Sequence, residues 1–219
     1  MKPVLDLRLY AVLDPARCRD RPLPDLAAAA ARGGATLVQY RDKHGGTRSL
    51  VANARTIIEA LAPFGVPLLV NDRVDVALAA AAAGAHVGQD DMTPDDARRL
   101  LGPDAILGVT IHHAHEAEAL TPGIADYAGC GPVFATQSKD PGDPPLGPDG
   151  LDRLLRQLPP GLPACGIAGI DHRNAAAVIE AGAAGVAVIS DIFMAEDVEA
   201  ATRRLRMAVD TALAAKGAP

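Results

Sequence analysis

The chain has 219 residues, of which 49% are hydrophobic but only 3% aromatic, and it carries a formal net charge of -6 at pH 7. That length allows one large domain or two small ones, and the acidic balance argues against a nucleic-acid partner, which would want clustered Lys and Arg. No apolar run approaches the roughly 20 residues that cross a bilayer, so no membrane partner is expected.

The opening stretch "MKPVLDLRLYAVLD" is interrupted by Asp6 and Arg8, so it is not a secretory signal, and its apolar part predicts a first strand over 9–13. Next, "GGATLVQY" (33–40) follows an alanine-rich helical stretch and runs into a strand over 36–41. Leu50, Val51, Ala54, Ile57, Ile58 and Leu61 then form one apolar face of a helix over 47–61. A third strand falls near 66–70. The stretch "AGAHVGQD" (83–90) repeats the glycine-then-strand pattern, with a fourth strand near 85–89. Thr93-Pro94 with Asp95 and Asp96 reads as a helix cap, a first-turn proline and two first-turn acids. Strands are expected again near 105–109 and 126–130, before a long flap-like connection at 131–148. Leu151, Leu154, Leu155 and Leu158 mark the helix after it, and a seventh strand falls near 163–167. "AGAAGVAVIS" (181–190) leads into an eighth near 185–189, and Val198, Ala201, Leu205 and Val209 carry a last helix.

In each repeated stretch the glycine is expected to be the helix C-terminal residue with positive φ. The apolar runs lack polar/apolar alternation, as parallel strands covered on both faces do. Eight strands alternating with helices predict α/β architecture, a single (β/α)8 TIM barrel spanning 1–219. A doubly wound open sheet is the competing architecture, but no GxGxxG follows the first strand. Cys18, Cys130 and Cys165 are odd in number with no CxxC pair, which fits a reducing cytoplasmic setting. Cys130 and Cys165 are expected to be buried packing residues.

A barrel places its site at the C-terminal ends of the strands, and there the polar residues recur. The first strand ends at Asp14. In "LVQYRDK", alternation sets Gln39, Arg41 and Lys43 on one face and Val38 and Tyr40 on the other. The two cations could clamp a phosphate, or form a solvated strand end paired to Asp42. "LLVNDRVDV" supplies Asn71 and Asp72, and "GQDD" supplies Asp91. Asp72 and Asp91 could hold Mg²⁺ against substrate phosphates, or serve in turns, although Thr93 already takes the cap next to Asp91. Thr110 follows the fifth strand. Thr136, Ser138 and Lys139 could bind phosphate or belong to a mobile loop. After the seventh and eighth strands, Gly169 and Ser190 stand where barrels hold phosphate through backbone N–H groups, and Asp171 looks like a helix cap. "HHAH" (112–115) starts a helix and reads as solvated or capping histidines. There is no HExxH motif or Ser-His-Asp set.

The stretches "LYAVLD", "VQYRDK", "LLVNDRVDVALAAAAAGAHVGQDDM", "LGVTIHH", "GPVFATQSK", "GIAGI" and "VAVIS" closely resemble the thiamine-phosphate synthase family, in order, from about residue 9 to about residue 192. The resemblance implies a Mg²⁺-dependent transferase of thiamine biosynthesis, acting on small-molecule phosphorylated substrates in the cytoplasm and able to assemble as a homo-oligomer. It would join 4-amino-2-methyl-5-hydroxymethylpyrimidine pyrophosphate to a thiazole phosphate, giving thiamine phosphate and pyrophosphate. By matching motif, Gln39, Arg41, Lys43, Asn71, Thr110 and Lys139 would bind the pyrimidine pyrophosphate. Arg41, Lys43 and Lys139 would serve catalysis, and Asp72 and Asp91 would hold Mg²⁺. Thr136, Gln137, Ser138, Gly169, Ile189 and Ser190 would bind the thiazole phosphate. Three departures stand out: Thr110 where Ser is common, Tyr40 where an aliphatic residue is common, and Ala168 where a second glycine is usual. A tautomerase of the TenI type and a non-enzymatic thiamine-phosphate sensor share the barrel expectation. The tautomerase would have little reason to keep the pyrimidine and metal residues together.

Overall fold

Strand side chains divide between two apolar environments, which is why they do not alternate in polarity. In the computed structural model, which describes residues 2–136 and 144–217, the strands are β1 (Leu9–Leu13), β2 (Leu37–Tyr40), β3 (Leu68–Asn71), β4 (Gly84–Val87), β5 (Ile106–Ile111), β6 (Tyr127–Cys130), β7 (Ala164–Ile167) and β8 (Gly185–Val188). Each pairs in parallel with the next, and β8 closes against β1. Leu9, Ala11, Val38, Tyr40, Leu107 and Val109 pack outward under the helices, while Tyr10, Val12, Leu37, Leu69, Ile106 and Tyr127 fill the lumen.

The outer helices are α1 (Leu23–Arg32), α2 (Thr47–Leu61), α3 (Val74–Ala80), α4 (Pro94–Leu101), α5 (Ala114–Ala119), α6 (Gly147–Leu155), α7 (Ala175–Glu180), a one-turn α8 (Ser190–Phe193) and α9 (Val198–Gly217). The expected (β/α)8 TIM barrel is therefore what the chain forms, with α8 an extra turn after β8. Thr93 caps α4 as expected, its Oγ1 accepting from Asp96 N at 3.3 Å, a contact of a kind that contributes about 1 kcal/mol. His113 caps α5 in a reciprocal box with Glu116. Cys130 and Cys165 are fully buried.

Three expectations need correction. Gly34 and Gly182 take positive φ, 104° and 114°, but Gly84 does not end a helix. Ala81 holds that left-handed position at φ 55°, and Gly84 opens β4. A Cβ at Gly84 would lie 1.8 Å from Ile106 O, so it is close strand packing that needs glycine there. Asp171 caps only its own turn, accepting from Arg173 N at 2.8 Å, and does not cap α7 through its side chain. Finally, β5 runs to Ile111, which puts Thr110 inside the strand and facing the lumen side rather than in a loop beyond it.

Candidate active site at the barrel mouth

At the C-terminal ends of the strands a cavity of about 760 Å³, counting its open part, is lined by Gln39, Arg41, Asn71, Thr110, Thr136, Gly169, Ile189 and Ser190 together with Tyr10, His86 and Ala168. The expected pyrimidine-side and thiazole-side residues that are described thus meet on one cavity, apart from Lys43. Gln137, Ser138 and Lys139 lie outside the described residues, as does much of the 131–148 connection.

The cations are held by carboxylates, though not by Asp42. Arg41 Nη1 pairs with Asp14 Oδ2 at 2.5 Å, both side chains largely buried. Lys43 Nζ pairs with Asp72 at the rim. Asp42 is occupied locally, accepting from the backbone N–H of His44 and Gly45, each at 2.9 Å, and from the Tyr40 hydroxyl at 3.1 Å. Tyr40 also accepts from Asn53 on α2 at 3.0 Å, so its outward packing is a fixed contact between strand and helix.

The turn "NDR" bends tightly. Asp72 adopts φ 59°, a left-handed conformation that Asp tolerates better than most side chains, and its N–H donates to His86 O at 2.7 Å. Arg73 turns away to Asp75 and to Thr47 Oγ1 at 2.9 Å. Asp91 is tied by Gly88 N, which donates to its Oδ2 at 2.8 Å. Burial, with the Asp91 carboxyl hydrogen-bonded alongside, raises the Asp72 pKa above the ordinary carboxylate value, although Lys43 pulls it back.

Two carboxyls pressed together call for a proton or a cation between them, and their hard oxygens suit Mg²⁺. No cluster of three or more His, Cys, Asp or Glu able to hold a metal occurs among the described residues. An ion here would complete its shell with water and substrate oxygens, as Mg²⁺ commonly does. The pair fits that group.

After β7, Ala168 and Gly169 are successive left-handed residues, φ 71° and 67°. A Cβ on Gly169 would meet Ala135 O at 2.6 Å and Phe134 Cβ at 2.7 Å, so the turn excludes any side chain there. Asn174 braces it by donating from Nδ2 to Gly169 O at 2.9 Å.

Sequence reasoning passed over Tyr10, His86 and Tyr127. Their signal was weak, because aromatic and imidazole side chains inside apolar strands look like core. Strand alternation from Val12 would have placed Tyr10 in the lumen. Asp14 was visible as a strand end but not as the partner of Arg41.

A closed barrel with polar and charged residues gathered at its strand ends is the layout of (β/α)8 enzymes. The chain belongs to the thiamine monophosphate synthase family, whose model matches residues 9–192, and that family acts in thiamine biosynthesis. It is 51% identical over 215 residues to the thiamine-phosphate synthase of Agrobacterium fabrum, covering 97% of this chain and 98% of that one. It is 48% identical to the thiamine-phosphate synthase of Chloroflexus aurantiacus, covering 94% of each. Among solved structures, thiamine phosphate pyrophosphorylase from Pyrococcus furiosus superposes with a TM-score of 0.84 at 35% identity, covering 95% of this chain and 98% of that one. An orotidine 5'-phosphate decarboxylase from Pyrococcus horikoshii shares the fold alone, at 11% identity and a TM-score of 0.66.

Proposed function

We propose that this chain is a Mg²⁺-dependent thiamine-phosphate synthase, a transferase joining 4-amino-2-methyl-5-hydroxymethylpyrimidine pyrophosphate to a thiazole phosphate with release of pyrophosphate. The observation that carries this is the single cavity with Gln39, Arg41 and Asn71 on one side and Gly169, Ile189 and Ser190 on the other. Two amides suit the edge of an aminopyrimidine, and Arg41 suits its pyrophosphate. The open turn at Gly169 and the hydroxyl of Ser190 suit a phosphate on the second substrate.

The chemistry needs no strong protein base. The C–O bond from the pyrimidine methylene to pyrophosphate breaks, the electron pair leaves with pyrophosphate, and the thiazole nitrogen supplies the pair for the new C–N bond. The electron-rich aminopyrimidine spreads the positive charge between these events. The protein must align two substrates and neutralise the leaving group. Arg41 and Lys43 carry that charge, joined by Lys139 from the 131–148 connection. Asp72 and Asp91 would hold Mg²⁺, which adds positive charge against the departing pyrophosphate. Lys43 and Asp72 must part for each to reach its substrate-side partner.

Three reduced, buried cysteines and small phosphorylated substrates support a cytoplasmic setting, and among the described residues no helix is long and apolar enough to cross a membrane.

The test mixes purified protein with both precursors and Mg²⁺, with and without chelator, and measures thiamine phosphate. Metal-dependent product is expected. Binding of both precursors without product would overturn the reading in favour of a sensor, and binding of the thiazole phosphate alone would favour the tautomerase.

A further inference from the structure

The lumen beneath the cavity holds a polar chain that the reaction above does not explain. Gln39 Nε2 donates to the Tyr10 hydroxyl at 2.5 Å, and the Tyr127 hydroxyl donates to the same oxygen at 2.8 Å. His86 Nδ1 lies 2.8 Å from the Tyr127 hydroxyl, and His86 Nε2 lies 2.8 Å from Thr110 Oγ1. Tyr10, Gln39, His86, Thr110 and Tyr127 are each at most 7% exposed, so bulk water does not compete for these contacts.

Each proton in this chain fixes the next. Burial keeps both phenols above their ordinary value, and hydrogen bonds from Tyr127 and Gln39 pull Tyr10 back as the acceptor. Both hydroxyls therefore keep their single proton at neutral pH. With Tyr127 donating to Tyr10, its oxygen meets His86 as an acceptor, an arrangement that matches the tautomer with the imidazole proton on Nδ1. In that tautomer Nε2 is the acceptor, and Thr110 donates to it. Thr110 is left presenting lone pairs to the cavity that it lines. Tyr10 accepts twice already, which leaves its own proton for the cavity.

We infer that His86 is a positioning residue that, through its Nδ1–H tautomer, fixes Thr110 as a hydrogen-bond acceptor, so that the cavity selects an amino group over an oxo group on the pyrimidine. This rests on the proposed pyrimidine substrate. An oxo ring would bring a second acceptor against the Thr110 lone pairs, and a buried site matched to one polarity rejects the other strongly.

The test has two arms on the full-length enzyme. The first takes the ¹⁵N spectrum of enzyme labelled in its histidines, with His86→Gln used to assign the signal. A protonated Nδ1 and a bare Nε2 are expected. The second compares kcat/KM and binding affinity for the aminopyrimidine pyrophosphate and its oxo counterpart in the wild type and in Tyr127→Phe, which keeps the ring and loses only the hydroxyl. Without that acceptor, His86 gains by moving its proton to Nε2, and Thr110 then turns its own proton toward the cavity. The amino-over-oxo ratio should fall at least roughly tenfold, with a modest fall in unfolding temperature because the buried Nδ1 loses its partner. Thr110→Ser should keep the wild-type ratio and Thr110→Val should lose it. An Nε2-protonated or doubly protonated His86, or equal losses for both pyrimidines in Tyr127→Phe, would overturn the inference. If the wild type forms no thiamine phosphate, it is the synthase reading that fails. The ¹⁵N spectrum and the two affinities still decide the tautomer claim.

Discussion

Lys43 and Asp72 meet at the rim as an ion pair, yet the proposed reaction would draw Lys43 to the pyrophosphate and Asp72 to Mg²⁺. Lys43 would compete with that cation for Asp72, and it is half-exposed, so the pair is weak and exchangeable. Replacing Lys43 by Met should raise KM for the pyrimidine pyrophosphate at least tenfold, because a charge-assisted contact is lost. In the absence of substrate, the same variant should bind Mg²⁺ about two- to fivefold more tightly, in proportion to a surface ion pair's contribution. Calorimetric titration checks this, and a weaker Mg²⁺ affinity would remove Lys43 from the metal's competitors. Asp72→Asn makes a complementary case. The Asp72 pKa is raised in the folded protein by burial and by Asp91, so its ionised form costs stability at every pH above its ordinary titration range. The Asn variant should unfold at an equal or higher temperature at pH 7, while kcat falls at least about a hundredfold. Mg²⁺ should raise the unfolding temperature of the wild type and leave that of the Asn variant unchanged. At this scale the rim was legible, because Asn71, Asp72, Asp91, Arg41 and Lys43 interrupt the apolar strand runs with an amide and four charges. Asp14 as the Arg41 partner was not, since only closure of β1 beside β2 brings the two together.

The turn that follows β7 shows what one connection can demand of its sequence. Ala168 sits at φ 71° beside Gly169 at φ 67°, and a left-handed alanine costs about 1–2 kcal/mol relative to glycine. Part of that is offset because alanine restricts the unfolded chain. Ala168→Gly should therefore stabilise by up to about 1 kcal/mol, seen as an unfolding temperature higher by roughly 2–4 °C, with the thiazole-phosphate KM unchanged or lower. Gly169→Ala should do the opposite, because its Cβ would fall 2.6 Å from Ala135 O. A clear rise in thiazole-phosphate KM is expected, with the pyrimidine KM little affected; equal effects on both would show that the two ends of the cavity move together. Elements were read well where periodicity was strong: α2 occupies Thr47–Leu61, as its apolar face predicted. The reading went wrong at Gly84, because a glycine kept for close strand packing looks the same in sequence as one kept for positive φ. Thr110 was set beyond its strand because a polar residue in an apolar run resembles a strand end, whereas here it turns to a buried imidazole.

Across the whole molecule, the barrel stacks an apolar plug under a polar ring, with the open cavity above. Counting βα units was enough to expect closure, because eight parallel strands flanked by helices have few other arrangements. The polar ring escaped that reasoning, since its members come from β1, β2, β4, β5 and β6 and meet only across the lumen. Gly108 joins the two levels. Its Cα pairs with His86 on one side and Tyr127 on the other, and the missing side chain leaves the space through which those two residues hydrogen-bond. A Cβ at Gly108 would lie 2.1 Å from Tyr127 Cζ. Gly185 is equally crowded, its Cβ 1.7 Å from Leu7 O, but it starts β8 at the far end of the barrel. Replacing either glycine by Ala should destabilise by about 1–3 kcal/mol or more through overpacking. Gly108→Ala should also displace the Tyr127 hydroxyl, so its folded fraction should lose amino-over-oxo selectivity as Tyr127→Phe does. Folded Gly185→Ala enzyme should retain wild-type selectivity despite a similar fall in unfolding temperature. Thermal unfolding followed by kinetics well below each transition separates the two effects. Loss of selectivity in both variants would mean that the mouth responds to strain anywhere in the barrel; loss in Gly108→Ala alone would locate the control of substrate polarity in the ring.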